Sequence, residues 1–350
     1  MSSALSVMSS AALLFFSLLK LRLTKWRKYA LITFKSGRTG PSIAMWAITT
    51  RCDCKCKFCK VWRKPTIEPS PEEALQTVDA LDAIGCYILS ITGGEPLLYP
   101  YIKEVIDYAH EKGFIVQVNT NGSLLSQEVA SISKADLITI SLDYPDEKHD
   151  KVRGHPHLFR KVLNGANLCR RMGLRVDFST LLLGDQDIVK LIDIAQNFDA
   201  TLVLSYPGSG GSLHADNWNL PSRDWLQKTL ELAIRLKKEN YPVFNTLLGL
   251  RGAIEYLRDE RRLFPCCAGE SMIYLDWDGW VYPCLFLRKM CHVKDLQKCY
   301  SNFPKFYSCT ECYDQAWSDP SAIMWLTKSF RLDSNFRDLF QIGEIAMKMV

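Results

Sequence analysis

The sequence has no acidic residue in its first 51 positions and little excess charge elsewhere. Eight of its 43 Lys and Arg residues lie in residues 1–51, so the rest of the chain carries 35 of them against 38 Asp and Glu. This balance argues against a folded surface that follows nucleic-acid phosphates. We therefore expect no nucleic-acid partner, and the positive charge belongs to the N-terminal segment.

No low-complexity linker and no internal repeat divides the chain. Its hydrophobic content of 47% and charged content of 23% are ordinary for a globular protein. Disorder is therefore excluded as the state of most of the chain. A length of 350 residues allows one large core, or a core with a small appended domain.

Long hydrophobic runs are also scarce. The run at 4–19 is near the short limit for crossing a bilayer and contains four serines. Basic residues follow it instead of preceding it, which is the reverse of a secretory signal and keeps this flank cytoplasmic. We predict that residues 1–41 form a hydrophobic helix that anchors the protein at the cytoplasmic face of the cell membrane, across the bilayer or in its interface. A buried helix packed on the core is the alternative.

Six short apolar runs alternate with amphipathic helical stretches between residues 42 and 240. Because nearly continuous apolar strands separated by helices are typical of parallel sheets with both faces covered, the pattern predicts an α/β fold. It does not distinguish an open sheet from a partial barrel. The runs lie at 42–49, 87–92, 114–119, 137–142, 174–183 and 201–206.

Three of the 13 cysteines, Cys52, Cys56 and Cys59, follow the first predicted strand at spacings of four and three residues. Three thiolates on one loop can bind three irons of a cubane cluster and leave the fourth iron open for a ligand. A structural zinc site needs four closed ligands, and no fourth cysteine of suitable spacing is near. The triplet therefore favours an iron–sulfur cluster, with zinc as the alternative.

Gly93-Gly94-Glu95-Pro96 ends the second predicted strand. With the cysteine triplet upstream, it resembles the radical SAM family of enzymes. The resemblance implies a partial (β/α)6 barrel over 42–240, a 4Fe–4S cluster and S-adenosyl-L-methionine as cofactors. It also implies which residues bind that cofactor, with Glu95 at its amino group and Arg153 or Ser141 at its carboxylate. The predicted cofactor-binding residues are Phe58, Gly93, Gly94, Glu95, Asn121, Ser141, Asp143 and Arg153.

The C-terminal part resembles the auxiliary-cluster domains called SPASM and twitch. Residues 271–283 alternate around Asp278-Gly279, which predicts a hairpin. The resemblance implies a second 4Fe–4S cluster in a module at 241–315, followed by a helical tail at 316–350; a zinc knuckle is the alternative. The implied ligands are Cys266 (chosen over Cys267), Cys284, Cys309 and Cys312.

The other cysteines are expected to be free and buried, and Cys54 is expected to point away from its neighbours. His149 and His155 are interpreted as solvated surface residues. The cysteines in question are Cys54, Cys86, Cys169, Cys267, Cys291 and Cys299.

The resemblance implies that an external low-potential donor such as ferredoxin or flavodoxin reduces the cluster, which cleaves the cofactor to a 5′-deoxyadenosyl radical that activates a C–H bond. The membrane anchor suggests a membrane-associated isoprenoid or glycerol lipid as substrate. A ribosomal peptide, a tetrapyrrole or a tRNA, or another small molecule, remains an alternative substrate. A non-catalytic iron–sulfur or zinc protein is disfavoured by the intact motifs.

Overall fold

The computed structural model describes residues 40–206, 221–302, 309, 312–314, 316 and 318–323. Most of the predicted anchor at 1–41 and of the predicted tail at 316–350 lies outside these residues. Among the residues described, no helix is long and apolar enough to cross a membrane.

All six predicted strands form, and helices connect and follow them; residues 318–323 are also helical. The first six strands are β1 (Ile43–Thr49), β2 (Ile88–Gly93), β3 (Ile115–Thr120), β4 (Leu137–Ser141), β5 (Val176–Leu181) and β6 (Leu202–Ser205). The helices are α1 (Pro71–Ala83), α2 (Ile102–Glu111), α3 (Leu125–Glu128), α4 (Lys148–Arg153), α5 (Leu158–Arg171), α6 (Ile188–Asn197), α7 (Arg223–Lys238), α8 (Leu247–Asp259) and α9 (Leu296–Tyr300).

The strands build one sheet in the order β6-β5-β4-β3-β2-β1-β7-β8-β9, in which β7 is Met272–Leu275, β8 is Trp280–Tyr282 and β9 is Cys291–His292. Neighbouring strands from β6 to β1 are all parallel, and β7 joins β1 in parallel as well. This confirms the α/β class and the parallel sheet, and it is consistent with the predicted partial barrel. The carboxyl ends of β1 to β6 therefore meet at one edge, where parallel sheets hold their ligands.

The two faces of the parallel sheet differ in chemistry. Alternate residues of each strand, such as Leu89, Val118 and Ile140, belong to one large apolar cluster shared with the helices. The opposite face of β2 to β6 carries uncharged polar side chains in neighbouring registers, among which stand the apolar Leu137 and Leu181 and the carboxylate of Asp177. We call the uncharged polar residues the polar belt: Ser90, Gln117, Asn119, Thr139, Ser141, Ser179 and Ser205.

The predicted hairpin around Asp278-Gly279 is present as β7 and β8, which pair antiparallel. Because β7 also pairs with β1, the hairpin extends the main sheet. A second apolar cluster joins Ala47 of β1 to Cys266, Cys267 and Cys284. The C-terminal cysteines are thus packed directly on the strand that leads into the cysteine triplet.

The start of α1 is fixed by a capping box, as its sequence predicts. Ser70 accepts a hydrogen bond from the backbone N–H of Glu73, and the Glu73 carboxylate accepts one from the Ser70 backbone N–H. Pro71 occupies the first helical position, where no intrahelical donor is needed. These contacts fix where the chain returns from the cysteine loop to the outer face of the sheet.

Candidate functional site

The cysteine loop, residues 51–60, leaves the carboxyl end of β1 and is held by backbone hydrogen bonds to α4. The N–H of Lys55 donates to the carbonyl of Arg153 at 2.9 Å, and the N–H of Lys57 donates to the carbonyl of Val152 at 3.3 Å. The indole N–H of Trp62 donates to the carbonyl of Cys56 at 3.1 Å. The loop position therefore depends on its main chain, and the side chains of Lys55 and Lys57 are left for other roles.

Gly93 and Gly94 bring the end of β2 against the end of β1. The N–H of Gly94 donates to the carbonyl of Thr49 at 2.7 Å, and the N–H of Glu95 donates to the carbonyl of Arg51 at 2.7 Å. A Cβ atom on Gly94 would lie 2.1 Å from that Arg51 oxygen. The close approach that these glycines allow is thus to the residue immediately before Cys52, a contact that sequence reasoning did not foresee.

Glu95 is fully buried and lies between the ends of β2 and β3. Its carboxylate accepts hydrogen bonds from the Thr120 hydroxyl at 2.7 Å, the Asn121 backbone N–H at 2.7 Å and the Leu97 backbone N–H at 3.2 Å. Burial raises the pKa of Glu95 to about 7, although these donors act in the opposite direction. In this arrangement the carboxylate positions two strand ends, and its contact with a cofactor ammonium stays a prediction.

Asp53, which sequence reasoning passed over, ties the cysteine loop to β3. Its carboxylate accepts hydrogen bonds from the side chains of Asn121 at 2.8 Å and Ser123 at 2.6 Å. His155 Nε2 lies 3.5 Å from the same carboxylate, so the interpretation of His155 as a solvated surface residue is wrong. The signal in the sequence was an acidic residue inside a cysteine-containing loop that is otherwise basic.

Asp143 and Arg153 form a buried ion pair behind the loop. Arg153 donates to both carboxylate oxygens of Asp143, from Nε at 2.6 Å and from Nη2 at 3.1 Å. Burial opposes the charge on Arg153, but Asp143 and Cys56 raise its pKa above the ordinary value. The Arg153 guanidinium also lies 5.6 Å from the ring centroid of Phe58. Arg153 is therefore engaged by the protein itself, and its predicted contact with the cofactor carboxylate remains a prediction.

His149 is fully buried beside this pair, which corrects its interpretation as a surface residue. Its Nδ1 accepts a hydrogen bond from the backbone N–H of Asp143 at 3.0 Å, so the ring proton lies on Nε2, which has no hydrogen-bond partner. Burial lowers the pKa of His149 to about 4. The ring is neutral near pH 7 and acts as an acceptor for the end of β4.

The three predicted ligands are only partly shielded from solvent. Cys56 is 6% exposed, whereas Cys52 and Cys59 have intermediate exposure. The backbone N–H of Val61 donates to the Cys59 sulfur at 3.4 Å, and the Asn121 side-chain amide lies 4.0 Å from the Cys52 sulfur. Amide donors of this kind stabilise negative charge on sulfur.

Cys54 does not point away from its neighbours, as sequence reasoning expected. Hydrogen bonds with Cys52 and Cys56 raise the pKa of its thiol, so all three sulfurs lie close together. In the described part of the chain, no three His, Cys, Asp or Glu side chains converge closely enough to hold a single metal ion. In an iron–sulfur cubane the cysteines bind different irons, so their sulfurs need not converge on one atom.

Ser141, the last predicted cofactor-binding residue, ends β4 and is paired in register with Ser179 of β5. It belongs to the polar belt and has intermediate exposure. Its place at the carboxyl edge of the sheet is the one that the sequence predicts. No contact in the structure tests its assignment to the cofactor carboxylate.

The four C-terminal cysteines lie within electrostatic reach of one another. The thiol of Cys266 interacts with Cys309, and the thiol of Cys284 interacts with Cys266 and Cys312. Burial raises the pKa of Cys284 to about 12. Cys267 is fully buried, and its backbone N–H donates to the Ser321 hydroxyl at 2.8 Å.

Cys291 and Cys299 form a disulfide that connects β9 to α9. The expectation that both are free and buried is therefore wrong. Their separation of eight residues crosses a 3-10 turn at Val293–Asp295, which brings the two side chains together. Spacing alone did not distinguish this pair from the other cysteines outside the proposed ligand sets.

A cleft of about 420 Å³ lies outside the sheet, between α1 and the β7–β8 turn. Trp46, whose side chain is part of the outer apolar cluster, and Trp277 line it. Glu68 at its edge is paired with Arg51 at 2.9 Å. This cleft is on the helix-covered face of the sheet. The candidate site is instead the carboxyl edge and inner face, where the cysteine loop and the polar belt lie.

A family model described as the radical SAM superfamily matches residues 46–195. The chain is 29% identical over 213 residues to an Fe-coproporphyrin III synthase of Methanosarcina barkeri, covering 57% of this chain and 53% of that protein. It is 30% identical over 175 residues to an AdoMet-dependent heme synthase of Nitratidesulfovibrio vulgaris, covering 46% of this chain and 47% of that protein. The chain thus spans about half the length of these two relatives.

Among solved structures, the chain is similar to Streptococcus suis SuiB bound to S-adenosylmethionine. The TM-score is 0.61 at 16% sequence identity, over 77% of this chain and 67% of that one. At this level of identity the likeness shows the fold alone.

Proposed function

Through residues 46–195 this chain belongs to the radical SAM superfamily, and from that membership we propose that it cleaves S-adenosylmethionine reductively at a 4Fe–4S cluster held by Cys52, Cys56 and Cys59. When bound, the cluster supplies one electron to the sulfonium group, which gives methionine and a 5′-deoxyadenosyl radical that abstracts hydrogen from a substrate C–H bond. The residues of this chain bind, orient and shield the reacting groups.

The donor set of the cysteine loop fits such a cluster. Its three thiols lie on one short loop beside the buried cation of Arg153. The hydrogen bond with Cys54 is the main cause that lowers the pKa of Cys56, and the charge of Arg153 lowers it further. Amide donors face the sulfurs of Cys52 and Cys59. The observation that carries the proposal is geometric: the three cysteines share one short loop that the main chain holds against α4 at the carboxyl end of β1. Burial raises the pKa of Cys59 to about 11, so its thiol is favoured until iron binds.

Glu95, Arg153 and Asp53 act as positioning residues in this proposal. Glu95 holds the ends of β2 and β3 together, and Asp53 holds the loop to β3. Arg153 fixes the loop through its backbone carbonyl while its side chain balances Asp143. These roles do not exclude a cofactor contact, so all eight predicted cofactor-binding residues remain part of the proposal.

We also propose that Cys266, Cys284, Cys309 and Cys312 hold a second, auxiliary 4Fe–4S cluster. Arg262 supports this, because its Nη1 donates to the carbonyl of Cys312 and its Nη2 is buried without a hydrogen-bond partner. A partly buried cation with a buried, unused donor suits a group of negative charge. The choice of Cys266 over Cys267 is supported by the electrostatic interaction of Cys266 with Cys309.

The polar belt bears on the substrate class. Its members already bond in pairs, with Gln117 to Thr139 at 2.8 Å and Asn119 to Ser90 at 2.9 Å. A wall of amides and hydroxyls recognises hydrogen-bonding groups better than hydrocarbon, because burying it against alkyl chains leaves polar groups unsatisfied. We therefore propose that the substrate is a polar molecule, such as a tetrapyrrole or a peptide. The hydrocarbon part of a membrane lipid fits this face less well.

Membrane attachment through residues 1–41 remains a proposal that rests on composition alone. A lipid substrate is compatible with the polar belt only if its headgroup, and not its chain, is the reacting part. Full-length protein is expected to sediment with membranes, whereas a chain that starts near Arg38 is expected to stay in the supernatant and retain its iron. Aggregation and iron loss in the shortened chain would refute the anchor.

The substrate class is tested by the stimulation of 5′-deoxyadenosine formation. Reconstituted, dithionite-reduced protein is offered iron-coproporphyrin, a mixed peptide pool and isoprenoid lipid in detergent, each in separate anaerobic reactions. The proposal predicts stimulation by one of the two polar preparations. Stimulation by the lipid alone would restore the lipid substrate.

A further inference from the structure

The cysteine loop and the four residues after it carry a dense group of positive charges that the proposed metal site does not use. Residues 52–64 contain five Lys and Arg and one Asp, whereas residues 65–350 contain 30 Lys and Arg against 37 Asp and Glu. We call these five residues the basic loop surface: Lys55, Lys57, Lys60, Arg63 and Lys64. Residues 52–64 are thus positively charged, whereas the sequence that follows them carries an excess of acidic residues.

The basic loop surface is accessible and largely unneutralised. Lys55, Lys57, Arg63 and Lys64 are all exposed, and within the described ranges none of these four has a carboxylate within ion-pair distance. The one acid of the loop, Asp53, is engaged by Asn121 and Ser123. Lys151 of α4 is also exposed, and the carbonyl of the next residue bonds the backbone of Lys57.

Two aromatic residues accompany these charges. The guanidinium of Arg63 lies 4.9 Å from the ring centroid of Trp62, whose indole is bonded to the carbonyl of Cys56. The ammonium of Lys64 lies 5.3 Å from the ring centroid of Trp277. Trp and Arg are the residues most enriched at protein interfaces, so this surface is suited to a protein partner.

We propose that the basic loop surface is the docking site for an acidic one-electron donor protein. Lys55 and Lys57 flank Cys56, and Lys60 follows Cys59, so a partner held by these charges binds at the loop that carries the proposed cluster ligands. Electron transfer falls steeply with distance, which is why such a partner must bind here and not on a distant face. The inference rests on the proposed function, in which the partner gives up one electron and the cluster accepts it.

This surface is small and is held by charge, as expected for a transient redox encounter. Electrostatic steering of this kind raises association rates by about 10- to 1,000-fold and weakens as ionic strength rises. A nucleic acid or an anionic membrane would also be attracted by the charges. Neither brings an electron to the cysteines, and the overall negative balance after residue 64 disfavours both.

The test compares the double variant Lys55→Glu/Lys57→Glu with the control Arg235→Glu/Lys238→Glu, which makes the same charge change at exposed positions of α7. Because Lys55 and Lys57 hold the loop through their backbone, the first variant is expected to retain the iron content of wild type. Both variants and wild type are reconstituted anaerobically. Cluster reduction by a reduced, negatively charged flavodoxin is followed by stopped flow at low and high ionic strength.

Wild type and the α7 control are expected to be reduced quickly at low ionic strength and more slowly in salt. The loop variant is expected to be slowed about tenfold or more at low ionic strength, with little further effect of salt. Dithionite should reduce all three proteins equally and support equal 5′-deoxyadenosine formation. Reduction of the loop variant by flavodoxin at the wild-type rate would overturn the docking site. So would a loop variant whose only defect is weaker binding of RNA or of anionic vesicles. Failure of wild type with dithionite would instead refute the proposed function itself.

Discussion

Asp53 lies between two cysteines of the loop, and its carboxylate connects three segments that are distant in sequence. It accepts hydrogen bonds from the Asn121 amide and the Ser123 hydroxyl, which follow the end of β3, and it faces His155 in the α4–α5 connection. Its neighbours are therefore fixed by contacts that a single mutation can remove. This makes Asp53 the side chain most directly suited to testing how the loop is held in shape.

Replacing Asp53 by Ala is expected to loosen the loop, since it leaves two buried or half-buried donors without an acceptor, at a cost of about 1–3 kcal/mol. Iron should be lost to a chelator several-fold faster than from wild type. Asp79→Ala, at a carboxylate that pairs with Lys112 on the outer surface, is the matched control and should release iron at the wild-type rate. Equal rates for Asp53→Ala and wild type would show that the network does not hold the loop.

His149 gives the protein a specific dependence on pH. Its pKa is lowered by burial from 6.5 to about 4, so between these values the unfolded chain binds a proton that the folded chain does not. Stability should therefore fall as the pH falls from about 6.5 towards 4, by at most about 1.4 kcal/mol per pH unit, and should not change through this group above 6.5.

His149→Asn keeps an acceptor near the Asp143 N–H but cannot be protonated. Thermal unfolding of wild type and variant at pH 7.5 and pH 5 measures the effect. The melting temperature of wild type should fall further than that of the variant between the two pH values. An equal fall in both would mean that His149 does not contribute to the acid sensitivity.

The junction of β1 and β2 is the element that places the cysteine loop. Gly94→Ala puts a Cβ atom 2.1 Å from the carbonyl oxygen of Arg51, so the two 2.7 Å hydrogen bonds at this junction must break or shift. We expect loss of about 2 kcal/mol or more of stability, in the range of overpacking mutations, together with reduced iron retention.

Gly113→Ala provides the control for this prediction. Gly113 has a φ of +84° but no atom within 4 Å of a Cβ, so its substitution adds backbone strain of about 1–2 kcal/mol without a clash. Both variants are compared by melting temperature and by iron per chain. Full iron retention in Gly94→Ala would contradict the view that this junction positions the loop.

Strand and helix positions were readable from sequence because their signals are local. Alternation of apolar runs with helices predicted six strands, and the capping box at Ser70 and Glu73 predicted the start of α1. The contacts that decide the site are between segments far apart in the chain. The ion pair between Arg153 and Asp143 has no local signal in the sequence, and the pairing of β7 with β1 has none either.

The cysteines show the same limit. Spacing placed Cys52, Cys56 and Cys59 on one loop, but it did not show that Cys54 stays beside them. Nor did it distinguish Cys291 and Cys299, which form a disulfide, from Cys86 and Cys169, which are fully buried and not disulfide-bonded. Pairing depends on the turn between β9 and α9, which the sequence marks only weakly.

At the scale of the whole molecule, the sheet separates three functions that the sequence mixes. Its outer face packs the helices, its carboxyl edge holds the cysteine loop, and its inner face carries the polar belt, which we propose as the substrate-facing wall. The C-terminal cysteines adjoin this arrangement through Ala47 and β7. A proposed auxiliary cluster therefore lies against the same strand that leads to Cys52.

Total iron tests this division of the cysteines. Reconstituted wild type is expected to carry about eight irons per chain, in two 4Fe–4S clusters. Replacing Cys266, Cys284, Cys309 and Cys312 by Ala should remove about half of the iron and leave the spectrum of the first cluster. Zinc bound at the C-terminal cysteines in its place would refute the auxiliary cluster and leave the first cluster untouched.

The most direct test of the central claim is the formation of 5′-deoxyadenosine from S-adenosylmethionine by anaerobically reconstituted, dithionite-reduced protein. Wild type and the control Cys86→Ala, which alters a buried cysteine outside the loop, are expected to form it at similar rates. The triple variant Cys52→Ala/Cys56→Ala/Cys59→Ala is expected to lose about four irons and to form none. Formation of 5′-deoxyadenosine by the triple variant at the wild-type rate would contradict the claim that these three cysteines hold the catalytic cluster.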